Sequence, residues 1–242
     1  MRTTTTLVIV PTYNEIVSAP LLISKIVRIL PNLHVLVVDD GSPDGTAAAV
    51  EELAGGALKG QIHLLQRGEK SGLGAAYRAG FVWAIERGYK TLIEMDADGS
   101  HRPEDLDELI RVFESDSQLD LVIGSRWVTG GTVMNWPRHR EILSRSANMY
   151  AKILLHMEIN DVTAGFRIYK SSMLQQIDFS TILSQGYCFQ IEMTQKILEL
   201  GGRVKEVPIT FIEREYGVSK MNLRIVIEAM LRVTIWGIKL LK

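Results

Sequence analysis

At 242 residues the chain has material for one large α/β domain or two small ones around a buried core. Apolar residues make up 46% and charged residues 23%, which excludes a disordered chain, and a net charge of −1 supplies no global basic field for nucleic acid. The single cysteine, Cys188, excludes an internal disulfide and argues against a Cys-based structural zinc site.

The segment Met1–Val10 does not read as a signal peptide: it holds one charge and four threonines, and its apolar run ends at Pro11. Nowhere do 18 uncharged apolar residues run together, so no transmembrane helix is expected. Leu7–Val10 is the first apolar run of strand length, followed by Leu33–Val38, Gln61–Leu65, Thr91–Met95 and Leu119–Ile123. Helix-like stretches near 18–29, 45–54, 74–87 and 103–115 separate them. Strands without polar alternation, joined by helices, predict a doubly wound, mainly parallel sheet covered on both faces. Ligands of such folds bind at the carboxyl ends of the strands. The polar, glycine-rich segments Pro11–Glu15, Asp39–Gly45, Arg67–Gly74, Asp96–Arg102 and Gly124–Arg126 all fall there.

Several of these segments have two readings. Pro11-Thr12-Tyr13-Asn14-Glu15 stands where a dinucleotide site would carry G-x-G-x-x-G; that fingerprint is missing, which disfavours an NAD- or FAD-dependent oxidoreductase. Asp39-Asp40-Gly41-Ser42 either offers a carboxylate to a ribose or base edge or simply builds a turn. Gly72-Leu73-Gly74 is a partial glycine motif or a helix start, with Arg67 and Lys70 near enough to meet phosphate. Asp96 and Asp98, two apart in extended chain, can face one point and suit a hard divalent cation. They stand equally well as acidic residues preceding the helix entry His101-Arg102-Pro103-Glu104. Arg126, Arg138, Arg140 and Arg145 bracket the loop Trp127–Pro137, either as phosphate-binding forks or as a solvated basic face. No H-x-E, H-E-x-x-H or G-x-S-x-G pattern supports a zinc or serine hydrolase.

The second half is less regular: a basic stretch Arg138–Lys152, then Asp161–Lys170, a helix near 187–200, a strand near 203–209 and a last helix near 222–241. On a helical wheel of Asn222–Lys242, Arg224, Glu228, Arg232, Lys239 and Lys242 fall within about 80° of arc, leaving a wide apolar face. Such a face packs on the protein's own sheet or a partner, or lies in a membrane interface.

Taken in order, seven motifs resemble the inverting glycosyltransferases of the GT-A fold, specifically the polyprenol- and dolichol-phosphate mannose synthases. They are Val10–Glu15, Val38–Thr46, Lys70–Gly74, Met95–His101, Gly124–Arg126, Gly186–Met193 and Arg214–Lys220. The loop Trp127–Pro137 with His139-Arg140-Glu141 is most similar to the bacterial polyprenol-phosphate enzymes. The resemblance implies a glycosyltransferase domain over 1–220. The amphipathic helix 221–242 then belongs to that domain or meets a membrane surface. It implies that Pro11, Tyr13, Glu15, Asp40 and the Val38 backbone hold the nucleotide. On the same resemblance Asp96 and Asp98 would bind Mg²⁺ or Mn²⁺, Ala97 would touch the nucleotide through its backbone, and Ser100 stands where some relatives carry glutamine near the metal. By the same resemblance Arg126, Arg140 and Ser144 would surround the acceptor phosphate, Arg126 also reaching the donor, and Arg214 and Lys220 would meet the diphosphate. The resemblance thus gives the catalytic roles to Asp96, Asp98 and Arg126. Glu192 reads as an orienting group or an ordinary helix position. The reaction implied is mannosyl transfer from GDP-mannose to a polyprenyl or dolichyl monophosphate, with inversion. The nearest alternative is a UDP-sugar donor, giving polyprenyl-phosphate glucose. A non-catalytic nucleotide-sugar-binding subunit is disfavoured by the two carboxylates at 96 and 98. The place implied is the cytoplasmic face of the membrane, peripherally, with a small membrane-anchoring subunit as a further partner and no nucleic acid.

Overall fold

The computed structural model describes residues 5–56, 58–214 and 223–240. In chain order it runs β1 (Thr6–Thr12), α1 (Ser18–Ile29), β2 (His34–Asp39), α2 (Thr46–Gly55), β3 (Ile62–Gln66), α3 (Leu73–Glu86) and β4 (Thr91–Glu94). There follow α4 (Leu106–Ser115), β5 (Leu119–Ser125), β6 (Thr132–Met134), α5 (Arg138–Leu154), β7 (Arg167–Lys170), α6 (Ser171–Leu174), α7 (Tyr187–Glu199), β8 (Arg203–Pro208), β9 (Thr210–Ile212) and α8 (Leu223–Leu240). The main sheet has the order β3-β2-β1-β4-β7-β5-β8. Its strands run parallel except β7, which is antiparallel to both β4 and β5. The expected doubly wound sheet is thus present. Two features were not anticipated: β7 wedged between β4 and β5, and a separate two-stranded sheet of β6 and β9.

The unbroken apolar runs are explained by burial on both faces. In β1, Leu7 and Ile9 enter one hydrophobic cluster with Leu36, Val38, Phe81 and Phe189. Val8 and Val10 enter the opposite cluster with Val35, Val37, Ile23 and Leu109. Strand alternation sends successive side chains to opposite sides, and here both sides are covered. Helix α1 buries Ala19, Leu22, Ile23, Ile26 and Val27, a helical stripe facing the second cluster.

Close approach of α3 to the sheet depends on Gly80. A Cβ at that position would lie 2.6 Å from Ile9 Cγ2 and 3.3 Å from Val38 Cγ2. Helix α8 packs on α5 and α7. Val233 is buried, and Tyr150 of α5 and Thr234 of α8 share a hydroxyl hydrogen bond of 2.6 Å. Ile227, Leu231, Ile235 and Ile238 remain exposed on α8, as do Ile142, Met149 and Ile153 on α5. Among the described residues no helix is long and apolar enough to cross a membrane.

Gly80→Val is expected to force apart α3 and β1, lowering the stability measured by urea unfolding by about 1–3 kcal/mol. An unchanged midpoint would show that this contact tolerates overpacking.

Candidate functional site

The carboxyl ends of β1, β2 and β4 lie side by side, because these strands are adjacent and parallel. Pro11 pairs with Val38 in the β1–β2 register, and Tyr13 and Glu15 follow β1 directly. The Lys70 ammonium stands over the Tyr13 ring, 4.0 Å from its centre. Glu15 accepts from Ser18 Oγ at 2.5 Å, and its N–H donates to Thr46 Oγ1. Asp39 builds the turn, accepting from Ser42 N–H, Ser42 Oγ and Thr12 Oγ1. Asp40 looks the other way, accepting from Arg67 Nη1 at 2.8 Å and from the Ser71 N–H at 3.2 Å. Arg67 and Lys70 are therefore engaged with Asp40 and Tyr13.

Asp96, Ala97 and Asp98 leave the end of β4. Neither carboxylate caps the following helix: Arg102 precedes its first turn, and Asp105 precedes α4. Asp98 Oδ1 accepts from the Ser100 N–H at 3.0 Å, and its Oδ2 faces Arg214 Nη2 at 3.1 Å. Asp96 Oδ1 accepts from the buried Tyr77 hydroxyl at 3.1 Å. Burial raises the Asp96 carboxyl above its ordinary range; His101 opposes this, and the neighbouring Asp98 charge adds to it. The Asp96 N–H donates to His101 Nδ1, which places the imidazole proton on Nε2. Burial lowers the His101 pKa against the pull of Asp96 and Asp98, so the ring is neutral at pH 7, stacked on Phe166. Beneath the loop, burial pushes Glu94 up to about 8, and it accepts from Tyr169.

Two acidic side chains with oxygen donors converge here, and His101 Nδ1 is already committed. A Cβ at Gly165 would stand 3.4 Å from Asp96 Oδ2, so the glycine keeps that oxygen's flank open. This donor set fits a hard divalent cation. Among the described residues no group of three or more His, Cys, Asp or Glu side chains converges to complete a cage. An ion held here would take its remaining oxygens from ligand or water. Ser100 contributes a backbone contact to Asp98.

Arg126 is not part of a solvated basic face. Only 5% exposed, it is gripped by Asp161, which is wholly buried: Nε and Nη2 donate at 2.7 Å each, and the backbone N–H at 2.9 Å. Thr163 Oγ1 accepts from Nη2 as well. Burial works against the charge, and Asp161 outweighs it, leaving the Arg126 pKa raised. The guanidinium lies 5.3–5.5 Å from the ring centres of Trp127, Trp136 and Phe211. Arg145 stacks on Trp127 and pairs with Glu141.

Arg126, Arg140 and Ser144 line one cavity of roughly 330 Å³. It continues along α5 through Ala147 to Tyr150 and is closed by Ile191 of α7 and by Met230 and Val233 of α8. Ten residues of helix span about 15 Å. The cavity thus has arginines beside the N-terminal turns of α5 and apolar walls beyond. Arg140 Nη1 donates to both oxygens of Glu213, at 2.8 and 3.0 Å. Lys220 lies outside the described residues.

The family model for glycosyl transferase family 2 matches residues 7–178. The chain belongs to glycosyl transferase family 2. This glycosyltransferase is 53% identical over 234 residues to a polyprenol monophosphomannose synthase of Mycolicibacterium smegmatis, covering 97% of this chain and 87% of that one. It is 50% identical over 232 residues to an undecaprenyl-phosphate mannosyltransferase of Micrococcus luteus, covering 96% and 93%. Its fold is shared with glucosyl-3-phosphoglycerate synthase of Mycobacterium tuberculosis, solved with Mn²⁺, UDP and glucosyl-3-phosphoglycerate. That match has a TM-score of 0.68 at 17% identity, over 96% of this chain and 78% of that one. The GT-A-type architecture expected of this glycosyltransferase is therefore present.

Sequence reasoning missed Asp161, Asn148 and Glu213. Asp161 opened a stretch noted only for its irregularity, and nothing in spacing ties it to Arg126, 35 residues away. Glu192 is nearly buried and accepts weakly from the Ser184 N–H, at 3.3 Å, which fits a position inside the helix packing. Asp161→Ala would leave a buried, unpaired guanidinium and is expected to cost about 3–5 kcal/mol of unfolding free energy. Asp161→Asn, which keeps the shape and an acceptor, should cost less. Equal stability of the alanine variant and the parent protein in denaturant would show that Arg126 finds water or another partner.

Proposed function

We propose that this glycosyltransferase moves a mannosyl group from GDP-mannose to a polyprenyl monophosphate of the dolichyl or undecaprenyl kind, with inversion at the anomeric carbon. The observation that carries the reading is the cavity along α5. It offers Arg126, Arg140 and Ser144 to a phosphate and an apolar trough to a chain of hydrocarbon. The names of the two relatives, both polyprenyl-phosphate mannose enzymes, support the same acceptor and sugar.

In this reading Pro11, Tyr13, Glu15, Asp40 and the Val38 backbone receive the guanosine, with Ala97 contacting it from the carboxylate loop. Asp96 and Asp98 would hold Mg²⁺ or Mn²⁺, which would supply positive charge against that developing on the departing nucleotide. Arg214 and Lys220 add positive charge at the diphosphate. The acceptor phosphate, with a second pKa of about 6, already carries its nucleophilic charge at pH 7, so no strong protein base is required. Arg126 and Arg140 orient that oxygen, and their contribution is mainly positional. Attack from the side opposite the leaving diphosphate gives inversion.

The acceptor cannot leave a bilayer, so the enzyme must meet one. The exposed residues Ile142, Met149 and Ile153 on α5 and Leu231, Ile235 and Ile238 on α8 supply apolar area for an interfacial seat. Arg145 and Lys152 on α5 and Arg232 and Lys239 on α8 suit anionic headgroups. We place the enzyme peripherally on the cytoplasmic face, with lipid as the occupant of this surface.

Transfer of radiolabelled mannose from GDP-mannose into organic-extractable lipid tests the reaction. EDTA, Asp96→Ala and Asp98→Ala are each expected to cut it by more than about 100-fold, with folding intact by circular dichroism. Label arriving only from a UDP-sugar, or full transfer by both variants in chelator, would overturn the donor or the metal assignment respectively. For the membrane seat, Ile142→Glu combined with Ile235→Glu should reduce sedimentation with anionic liposomes severalfold while GDP-mannose still raises the melting temperature. Undiminished sedimentation would place the membrane contact on another surface.

A further inference from the structure

The two halves of the site are joined by three residues. The Ile212 N–H, at the end of β9, donates to the Ser100 carbonyl at 3.1 Å, and the Glu213 N–H donates to the Met134 carbonyl at 3.0 Å. The backbone is thereby pinned to the carboxylate loop on one side and to the strand leading into α5 on the other. Neighbouring residues of extended chain point in opposite directions. Glu213 accordingly grips Arg140 through both carboxylate oxygens, and Arg214 reaches Asp98. Both pairs are partly buried, with side-chain exposures of 29% and 24% for the first and 23% and 11% for the second. Solvent screens them less than surface pairs.

The chain's own charges thus stand where ligand charges belong. A carboxylate sits on an arginine of the phosphate cavity, and a guanidinium sits on a carboxylate of the cation loop. The two occupying residues are consecutive, so a shift of the backbone at 213–214 moves both.

We propose that Glu213 and Arg214 form a charge-exchange couple that makes cation–nucleotide binding and acceptor-phosphate binding depend on each other, an inference that rests on the acceptor assignment above. With a divalent cation and a nucleoside diphosphate bound, Asp98 would release Arg214, and the freed guanidinium would turn to the diphosphate. The shift carries Glu213 off Arg140 and opens that arginine to phosphate. Linkage requires the reverse effect to be equal: a bound acceptor, by holding Arg140, releases Arg214 from Asp98. The free enzyme therefore binds the acceptor weakly, and Glu213 sets the coupling without touching either substrate.

The test is a binding measurement that needs no turnover. Farnesyl phosphate serves as the acceptor probe and Mn²⁺ with GDP as the donor-side probe, and tryptophan fluorescence reads binding, since Trp136 lines the cavity. Wild type is expected to bind farnesyl phosphate roughly tenfold tighter once Mn²⁺ and GDP are present, within the usual range of coupling. Glu213→Gln, close to isosteric, is expected to bind it as tightly without them as loaded wild type does, its coupling factor falling to about one. In a second arm without lipid, Arg214→Ala should bind Mn²⁺ alone more tightly than wild type, read from the electron paramagnetic resonance signal of free Mn²⁺. Weaker acceptor binding by unloaded Glu213→Gln than by unloaded wild type, or an undiminished coupling factor, would make Glu213 a support for Arg140 and overturn the proposal. So would weaker or unchanged Mn²⁺ binding by Arg214→Ala. Absence of farnesyl phosphate binding by wild type under every condition would instead remove the acceptor assignment itself, and the coupling with it.

Discussion

A guanidinium that is 5% exposed stays charged, so its burial is tolerated only where a partner makes good the hydration it has lost, and at Arg126 that partner is Asp161. Much of the site's geometry hangs from this pair. Arg126 follows directly on β5, while Asp161 lies in the connection between α5 and β7. Asn148 of α5 donates to Thr163 Oγ1 and accepts from the Thr163 N–H. The Asp161 N–H in turn donates to Glu206 of β8. One buried charge thereby gathers the end of a strand, a helix and a loop, and it fixes where the cavity beside α5 opens. The arrangement also explains why an arginine there can attract an anion without being free in solution: its charge is retained while its orientation is locked.

Around that anchor the electrostatics divide into two compartments. On one side, the ends of β1, β2 and β4 carry Asp40, Asp96 and Asp98, with Arg67 paired to Asp40, Arg214 to Asp98 and Lys70 over the Tyr13 ring. On the other, Arg126 and Arg140 face an otherwise apolar trough. The small β6–β9 sheet lies between them, and through residues 212–214 it touches both.

The apolar surface of α5 and α8 has a different origin from the core. Val233 and Trp236 pack inward, so α8 is partly a structural helix, and its exposed isoleucines are additional to what packing requires. Leaving several large apolar side chains in water on two neighbouring helices is costly at about 25 cal/mol per Å². That cost is removed where the surrounding medium is itself apolar.

Much of this molecule was legible along the chain. Apolar runs uninterrupted by polar alternation determined a parallel sheet buried on both faces, as Leu7 and Val8 entering opposite clusters makes plain. Loop chemistry at the strand ends determined where the carboxylates would gather, because a parallel sheet aligns the carboxyl ends of its strands. These are properties of period and spacing, which reside in consecutive residues. What tertiary structure alone decided is which charge meets which. Asp161 found Arg126 across 35 positions, Glu213 found Arg140 across 73, and β7 entered the sheet antiparallel between two strands that precede it. Ion pairing and strand insertion depend on distance in space, and no local pattern encodes the partner of a side chain whose neighbour arrives from another part of the chain.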